Sequence, residues 1–274
     1  MTKIEQLKTI TKAFIDSDDN SFYVSLPRTR LNYSKLVNSL NNPFKIILLY
    51  GEPGSGKSYL FNKFFNEHKD EFFLFVFKTP DFTINSLLDI YEKISNNRLT
   101  TKDNHKVLES FRDLNEDITI MLDEAQLYTT QEMEWIRLLS NEKNLKFIIS
   151  VHKVDNEDIL AQKHFQTRIY ETIHFNKLDL KEVKLFIEEK LLQISGQNYI
   201  PHFSEKNIKI ILSLTKGNLR DLNRLLHRTF SLLALKIEHE SSFEVNKKEI
   251  EKYLEMAALD LKMKIRKNWM GQWI

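Results

Sequence analysis

Residues 44–58 read FKIILLYGEPGSGKS, and this stretch decides the fold. Phe44 to Tyr50 is a short apolar run of the kind that forms a strand buried on both faces. Gly51-Glu52-Pro53-Gly54-Ser55-Gly56-Lys57-Ser58 follows at once and satisfies G-x-x-x-x-G-K-[ST] in full. Glycines at such spacing admit positive φ angles, which turn successive backbone N–H groups inward as an anion nest. The segment from Tyr59 through Glu67 is helix-like, so a helix N-terminus would add its own N–H groups and dipole. Lys57 is suited to the β and γ phosphates of a nucleotide and the Ser58 hydroxyl to Mg²⁺. The chain has only six glycines in 274 residues, and three of them fall within these eight positions.

Outward from this loop, apolar runs recur at Phe72–Phe77, Ile118–Leu122, Phe147–Val151 and Ile169–Phe175. Helical spacing appears around Ser86–Ile94 and Gln131–Ser140, with a polar loop at 95–104. Strands alternating with helices predict parallel pairing, hence an α/β domain of five strands over 41–175. Residues 1–40 are mixed and polar and form a leading segment, with an aromatic pair at Phe22 and Tyr23. Beyond Asn176 only helical spacing is found, at Leu180–Ile194, Ser204–Leu214, Leu219–Ile237 and Lys247–Met263. A small α-helical domain is therefore expected over 176–260, followed by a basic and aromatic tail at 261–274.

Composition narrows the classes. With 42% apolar and 28% charged residues the chain is globular, and no window approaches the length of a membrane span. The N-terminus carries no apolar export-signal core, and the chain has no cysteine, which excludes disulfides and thiolate metal sites. A cytoplasmic location is expected. The formal charge of +2 does not by itself imply nucleic acid. Acidic residues slightly exceed basic ones through Phe175, and the balance reverses afterwards, in keeping with a domain boundary there.

Asp123 and Glu124 end the third apolar run. A carboxylate at that point is placed to hold Mg²⁺, and its neighbour to activate water as general base. Ser150 and His152 are alternative polar candidates on the fourth strand, either to orient water or to meet the γ-phosphate. Arg168 precedes the fifth strand, where it could reach a neighbouring subunit's nucleotide. Arg220, Arg224 and Arg228 recur at i, i+4 and i+8, and Arg220, beside Gly217 at the helix start, is best placed to meet a nucleotide. Lys262, Lys264, Arg266 and Lys267 precede Trp269, Met270, Trp273 and Ile274, a pattern suited to a membrane surface, a partner's pocket or a helix folding back.

Taken in order, these residues resemble an AAA+ ATPase: phosphate loop, Asp-Glu, polar fourth-strand residue, Arg168 and G-x-x-R. The resemblance implies a five-stranded parallel P-loop core with an α-helical lid, binding ATP and Mg²⁺ at the subunit boundary of a homo-oligomer. More narrowly, LDEAQLYTTQEMEWIRLLSNEKNLKFIISVHK (122–153), LDLKEVKLFIEEKL (178–191) and TKGNLRDLNRLLHRTF (215–230) are similar to the ExeA/GspA group of secretion ATPases. That likeness implies assembly or operation of a type II secretion, type IV pilus or DNA-uptake apparatus, with a membrane protein as partner. His152-Lys153 departs from the Gln-Pro more usual in the group. The related TniB/MuB transposition ATPases give an alternative, in which the basic lid face contacts DNA.

Overall fold

The computed structural model describes residues 2–15, 24–101, 103–152 and 163–263. Phe22, Tyr23 and the tail residues from Lys264 to Ile274, Trp269 and Trp273 among them, lie outside these. The chain forms two compact units: Arg28–Pro53 with Lys57–Phe175, and Met1–Pro27 with Gly54–Gly56 and Asn176–Ile274.

The first unit is a five-stranded sheet, with β1 (Ile46–Gly51), β2 (Phe73–Phe77), β3 (Ile118–Leu122), β4 (Leu145–Val151) and β5 (Ile169–Phe175). Its order is β2-β3-β4-β1-β5 and every pair is parallel. β3 and β4 are buried at every position, which is why apolar residues dominate both of their faces, with Thr119, Lys146 and Ser150 as buried polar exceptions. Alternation appears instead in which core each residue joins. Ile46, Leu48, Ile120, Phe147 and Ile149 share one core with residues of α4 (Ile84–Ser95), α5 (Asn104–Arg112) and α6 (Thr130–Leu139). Ile47, Leu49, Met121, Ile148 and Ile173 face the other way, against α2 (Pro27–Leu40) and α3 (Lys57–His68). A short α7 (Lys163–Gln166) precedes β5.

The polar-looking first forty residues contain two helices, α1 (Lys3–Ala13) and α2, and they part company: α2 packs under the sheet, whereas α1 joins the helical unit. α1 opens with a capping box between Thr2 and Glu5. A helix that the sequence periodicity does not reveal, α5, buries only Val107 and Phe111, one turn apart, too few apolar positions for a pattern. Its start is set by Asp103, whose side chain accepts from the His105 N–H at 2.9 Å.

The second unit is built around α10 (Leu219–His239), packed with α1, α8 (Leu180–Gln193), α9 (Glu205–Thr215) and α11 (Lys247–Asp260). α10 buries Leu222, Leu225, Leu226, Phe230, Leu233 and Ile237, an apolar stripe at helical spacing. Phe230 stacks on Phe14 of α1 at 5.7 Å between centroids and meets Tyr199 edge-on at 5.8 Å. The buried Lys190 donates to Asn223 Oδ1 at 3.3 Å and lies over the Phe14 and Phe186 rings.

Gly217 precedes the α10 cap with φ +73°. Its carbonyl accepts from the Leu178 N–H at 2.8 Å, and a Cβ on it would stand 2.2 Å from the Leu178 carbonyl oxygen. The crossing of two backbones therefore requires glycine here. Gly217→Ala is expected to destabilise the chain by about 3 kcal/mol, combining left-handed strain with overpacking. Chemical denaturation of the purified variant measures this, and an unchanged midpoint would contradict it.

Candidate functional site

The phosphate loop joins β1 to α3. Gly54 (φ +75°) and Gly56 (φ +96°) both occupy the left-handed region, whereas Gly51 is simply the last residue of β1. Residues Gly54–Gly56 group with the helical unit. The Gly54 carbonyl accepts from the N–H groups of Leu219 (3.0 Å) and Arg220 (3.3 Å) at the start of α10, and a Cβ on Gly54 would fall 2.4 Å from Asn218 Oδ1. Gly54 is thus required twice over, by its φ and by this close approach. Asn218 itself caps α10, accepting from the Arg220 and Asp221 N–H groups.

Lys57, the first residue of α3, is only 3% exposed. Its ammonium donates to the carbonyls of Gly51 (2.5 Å) and Glu52 (3.1 Å), so the side chain folds back inside its own loop. The Ser55 hydroxyl is buried with no hydrogen-bond partner. A buried cation, an orphaned hydroxyl and two left-handed glycines within four residues fit an oxyanion such as phosphate. Ser58 and Tyr59 continue the first turn of α3, both half-buried. Glu52 and Pro53 form the exposed tip of the loop.

Asp123 follows β3 and is buried to 8% exposure. Its N–H donates to the Phe77 carbonyl at 2.9 Å, and its Oδ1 accepts from the Glu124 N–H at 3.0 Å. Glu124 stands at φ 51°, ψ 42°, a left-handed conformation that costs a non-glycine residue about 1 kcal/mol. That turn takes the chain off the strand axis and starts a 3₁₀ turn at Ala125–Leu127. Among the described residues no group of three or more His, Cys, Asp or Glu could hold a metal alone. One carboxylate and one hydroxyl fit Mg²⁺, which takes few protein ligands and completes its shell with phosphate and water.

The end of β4 lies beside the end of β3, with Leu122 level with Ile149. Of the two polar fourth-strand candidates, Ser150 is fully buried with an unpartnered hydroxyl, whereas His152 meets Glu124, its Nε2 lying 3.4 Å from Glu124 Oε1. Gln126 completes this group, with Oε1 3.3 Å from the His152 N–H and Nε2 3.2 Å from His152 Nδ1. No role for Gln126 is legible in the sequence, although it stands within the D-E-A-Q stretch. Two residues on, the buried Tyr128 hydroxyl donates to the Thr79 carbonyl and accepts from the Phe82 N–H, both at 3.3 Å. Burial pushes that phenol up to about 12, so it stays a donor across the physiological range.

Arg168 lies at the other end of the sheet. Gly51 pairs with Phe175, the last residue of β5, while Arg168 precedes its first. Seven strand residues separate the two levels, roughly 23 Å. There Arg168 Nε donates to Asn141 Oδ1 at 3.1 Å. Arg168 is thus not brought together with Lys57, Asp123 or Glu124 of its own chain.

In the helical unit Arg220 is exposed in the first turn of α10. Arg224 pairs with Asp221 at 3.5 Å and Arg228 with Asp260 of α11, so two members of the arginine stripe face acids.

Residues 43–160 match the family model described as an AAA domain. No curated protein matches the chain. Among solved structures, the chain is similar to Cdc6p from Pyrobaculum aerophilum, with a TM-score of 0.58 at 16% identity over 90% of this chain and 70% of that one. The RuvB Holliday junction branch migration motor of Thermotoga maritima gives a TM-score of 0.56 at 12% identity, covering 89% and 73%. Domain III of the Thermotoga maritima replication initiation protein DnaA gives 0.51 at 16% identity, covering 89% and 98%. The parallel sheet, the phosphate loop after β1 and the helical unit that follows therefore constitute the P-loop AAA+ fold, and the match to the AAA-domain model spans residues 43–160.

Proposed function

We propose that this chain is an ATPase that cleaves ATP to ADP and phosphate as a homo-oligomer. One observation carries the reading: the phosphate loop with its buried Lys57 and the Asp123-Glu124 pair stand at the same end of one parallel sheet, separated by a single strand. Backbone N–H groups of residues 54–58 and the Lys57 ammonium bind the phosphates, once Lys57 exchanges its two carbonyl partners for phosphate oxygens. Ser58 and Asp123 are the residues that would hold Mg²⁺, whose charge offsets that of the phosphates. Glu124 accepts a proton from the attacking water, and His152 steadies the Glu124 carboxylate. Arg220 contributes a positive charge from the start of α10.

Arg168, some 23 Å by strand count from its own phosphate loop, serves the site of a neighbouring copy. Arg168→Ala alone is expected to lower phosphate release by about 10²–10³-fold. Mixing it with Lys57→Ala subunits, inert in their own site but retaining Arg168, should restore measurable activity. Absence of any recovery across mixing ratios argues against action between subunits.

The resemblance of 122–153, 178–191 and 215–230 to secretion ATPases supports a cytoplasmic role in driving a type II secretion, type IV pilus or DNA-uptake apparatus. Among the described residues no helix is long and apolar enough to cross a membrane, so the membrane link is assigned to a partner. A second reading, ATP-dependent DNA binding of the transposition type, draws on similar folds, a Holliday junction motor and a replication initiator among them. Salt-sensitive, ATP-stimulated binding of duplex DNA by the purified chain would select that reading. Co-purification with membrane components of a pilus or secretion system, without DNA binding, would select the first.

A further inference from the structure

Resting on the reading of Glu124 as the base, we propose that Gln126 is a positioning residue: it fixes the tautomer of His152 and aims the ring's Nε2 proton at the Glu124 carboxylate. The inference follows from donor and acceptor counting at three atoms. The His152 backbone N–H can only donate, so the Gln126 atom facing it at 3.3 Å is the carbonyl oxygen Oε1. The other end of the same amide is then an NH₂, which donates and has no lone pair to offer. It stands 3.2 Å from His152 Nδ1. Nδ1 must therefore present its lone pair, and a neutral ring carries its proton on Nε2. That nitrogen lies 3.4 Å from Glu124 Oε1. The contact is longer than a settled hydrogen bond, as catalytic contacts often are before substrate closes them.

The backbone explains why one glutamine can do this. Glu124 turns the chain with its left-handed φ, and the Ala125–Leu127 3₁₀ turn brings Gln126 over the end of β4 while Glu124 remains beside it. His152 is gripped at its main chain and at its ring by one side chain, which sets both its position and its proton. Holding one oxygen of Glu124 in this way leaves the other oxygen for water. The logic parallels the triad in which a buried partner selects the tautomer of a catalytic histidine, where the wrong tautomer is costly.

Gln126→Glu is nearly isosteric and gives the sharpest test. A carboxylate still accepts from the His152 N–H but cannot donate to Nδ1, so the ring must protonate Nδ1. The chain is labelled with ¹⁵N in its histidine rings and studied without nucleotide by long-range ¹H–¹⁵N correlation, with the His152 signals identified by their absence in His152→Asn. The parent is expected to show the Nε2–H tautomer, Gln126→Glu a protonated Nδ1, and Gln126→Leu a mixture of tautomers. Turnover of Gln126→Glu should fall about 10–100-fold with KM for ATP within about twofold of the parent. An Nδ1–H ring in the parent, or an unchanged tautomer in both Gln126 variants, overturns the proposal. The ring spectrum does not depend on hydrolysis. An unchanged tautomer together with an inactive Glu124→Gln therefore rejects the role of Gln126 alone, whereas an active Glu124→Gln rejects the base and this role with it.

Discussion

Glu124→Gln is expected to keep ATP binding and to lower steady-state hydrolysis by about 10²–10⁴-fold. The amide has the size of the carboxylate but cannot take a proton from water. Little else in the site should move. Asp123 Oδ1 accepts from the backbone N–H of residue 124, a bond that survives the change. A glutamine at φ 51° carries a strain similar to that of the glutamate it replaces. His152 Nε2–H can still donate, now to the amide oxygen. Nucleotide affinity measured with a fluorescent ATP analogue should match the parent, while phosphate release collapses. A variant that hydrolyses at the parental rate places the general base elsewhere.

The parts of this site that are legible in sequence are those whose chemistry is contiguous. The phosphate loop occupies eight successive residues, and its strand and helix flank it directly, so motif and context can be read together. Asp123 and Glu124 are marked by ending an apolar run. Strands β3 and β4 are nearly as plain, since strands covered on both faces are mostly apolar and only Thr119, Lys146 and Ser150 interrupt them. The grouping of Gln126 with His152 is of another kind. It depends on β3 and β4 being neighbours, on their register and on one left-handed residue, none of which leaves a periodic signal. Arg168 illustrates the converse. Its place before β5 is readable, but only the pairing of Gly51 with Phe175 shows that it stands at the far end of the sheet. Two of the helices that escape detection, α5 and α1, do so for compositional reasons: α5 buries two residues, and α1 buries Leu7, Ile10 and Ala13 within an otherwise polar stretch.

Lys57→Ala is the second change with a large expected effect, and it separates binding from folding. In the folded chain the Lys57 ammonium satisfies two backbone carbonyls of its own loop. Removing it leaves those acceptors to water at the loop mouth, a cost of about 1 kcal/mol. For ATP the loss is greater, because a charge-assisted contact to phosphate disappears where nothing else replaces it. About 3 kcal/mol, or a hundredfold in affinity, is the expected deficit. Ligand-linked stabilisation turns this into a simple measurement. At a hundred times its dissociation constant, ATP stabilises the parent by about 2.7 kcal/mol, whereas a hundredfold weaker site gains only about 0.4 kcal/mol at the same concentration. Thermal unfolding should therefore show a clear ATP-induced rise for the parent and for Glu124→Gln, and almost none for Lys57→Ala, while all three melt at similar temperatures without nucleotide. If Lys57→Ala keeps the full ATP-induced rise, the nucleotide binds elsewhere and the phosphate loop is not its site. If Lys57→Ala instead melts far below the parent without nucleotide, Lys57 holds the loop together as much as it holds phosphate, and the exchange of carbonyl for phosphate partners proposed above would fail.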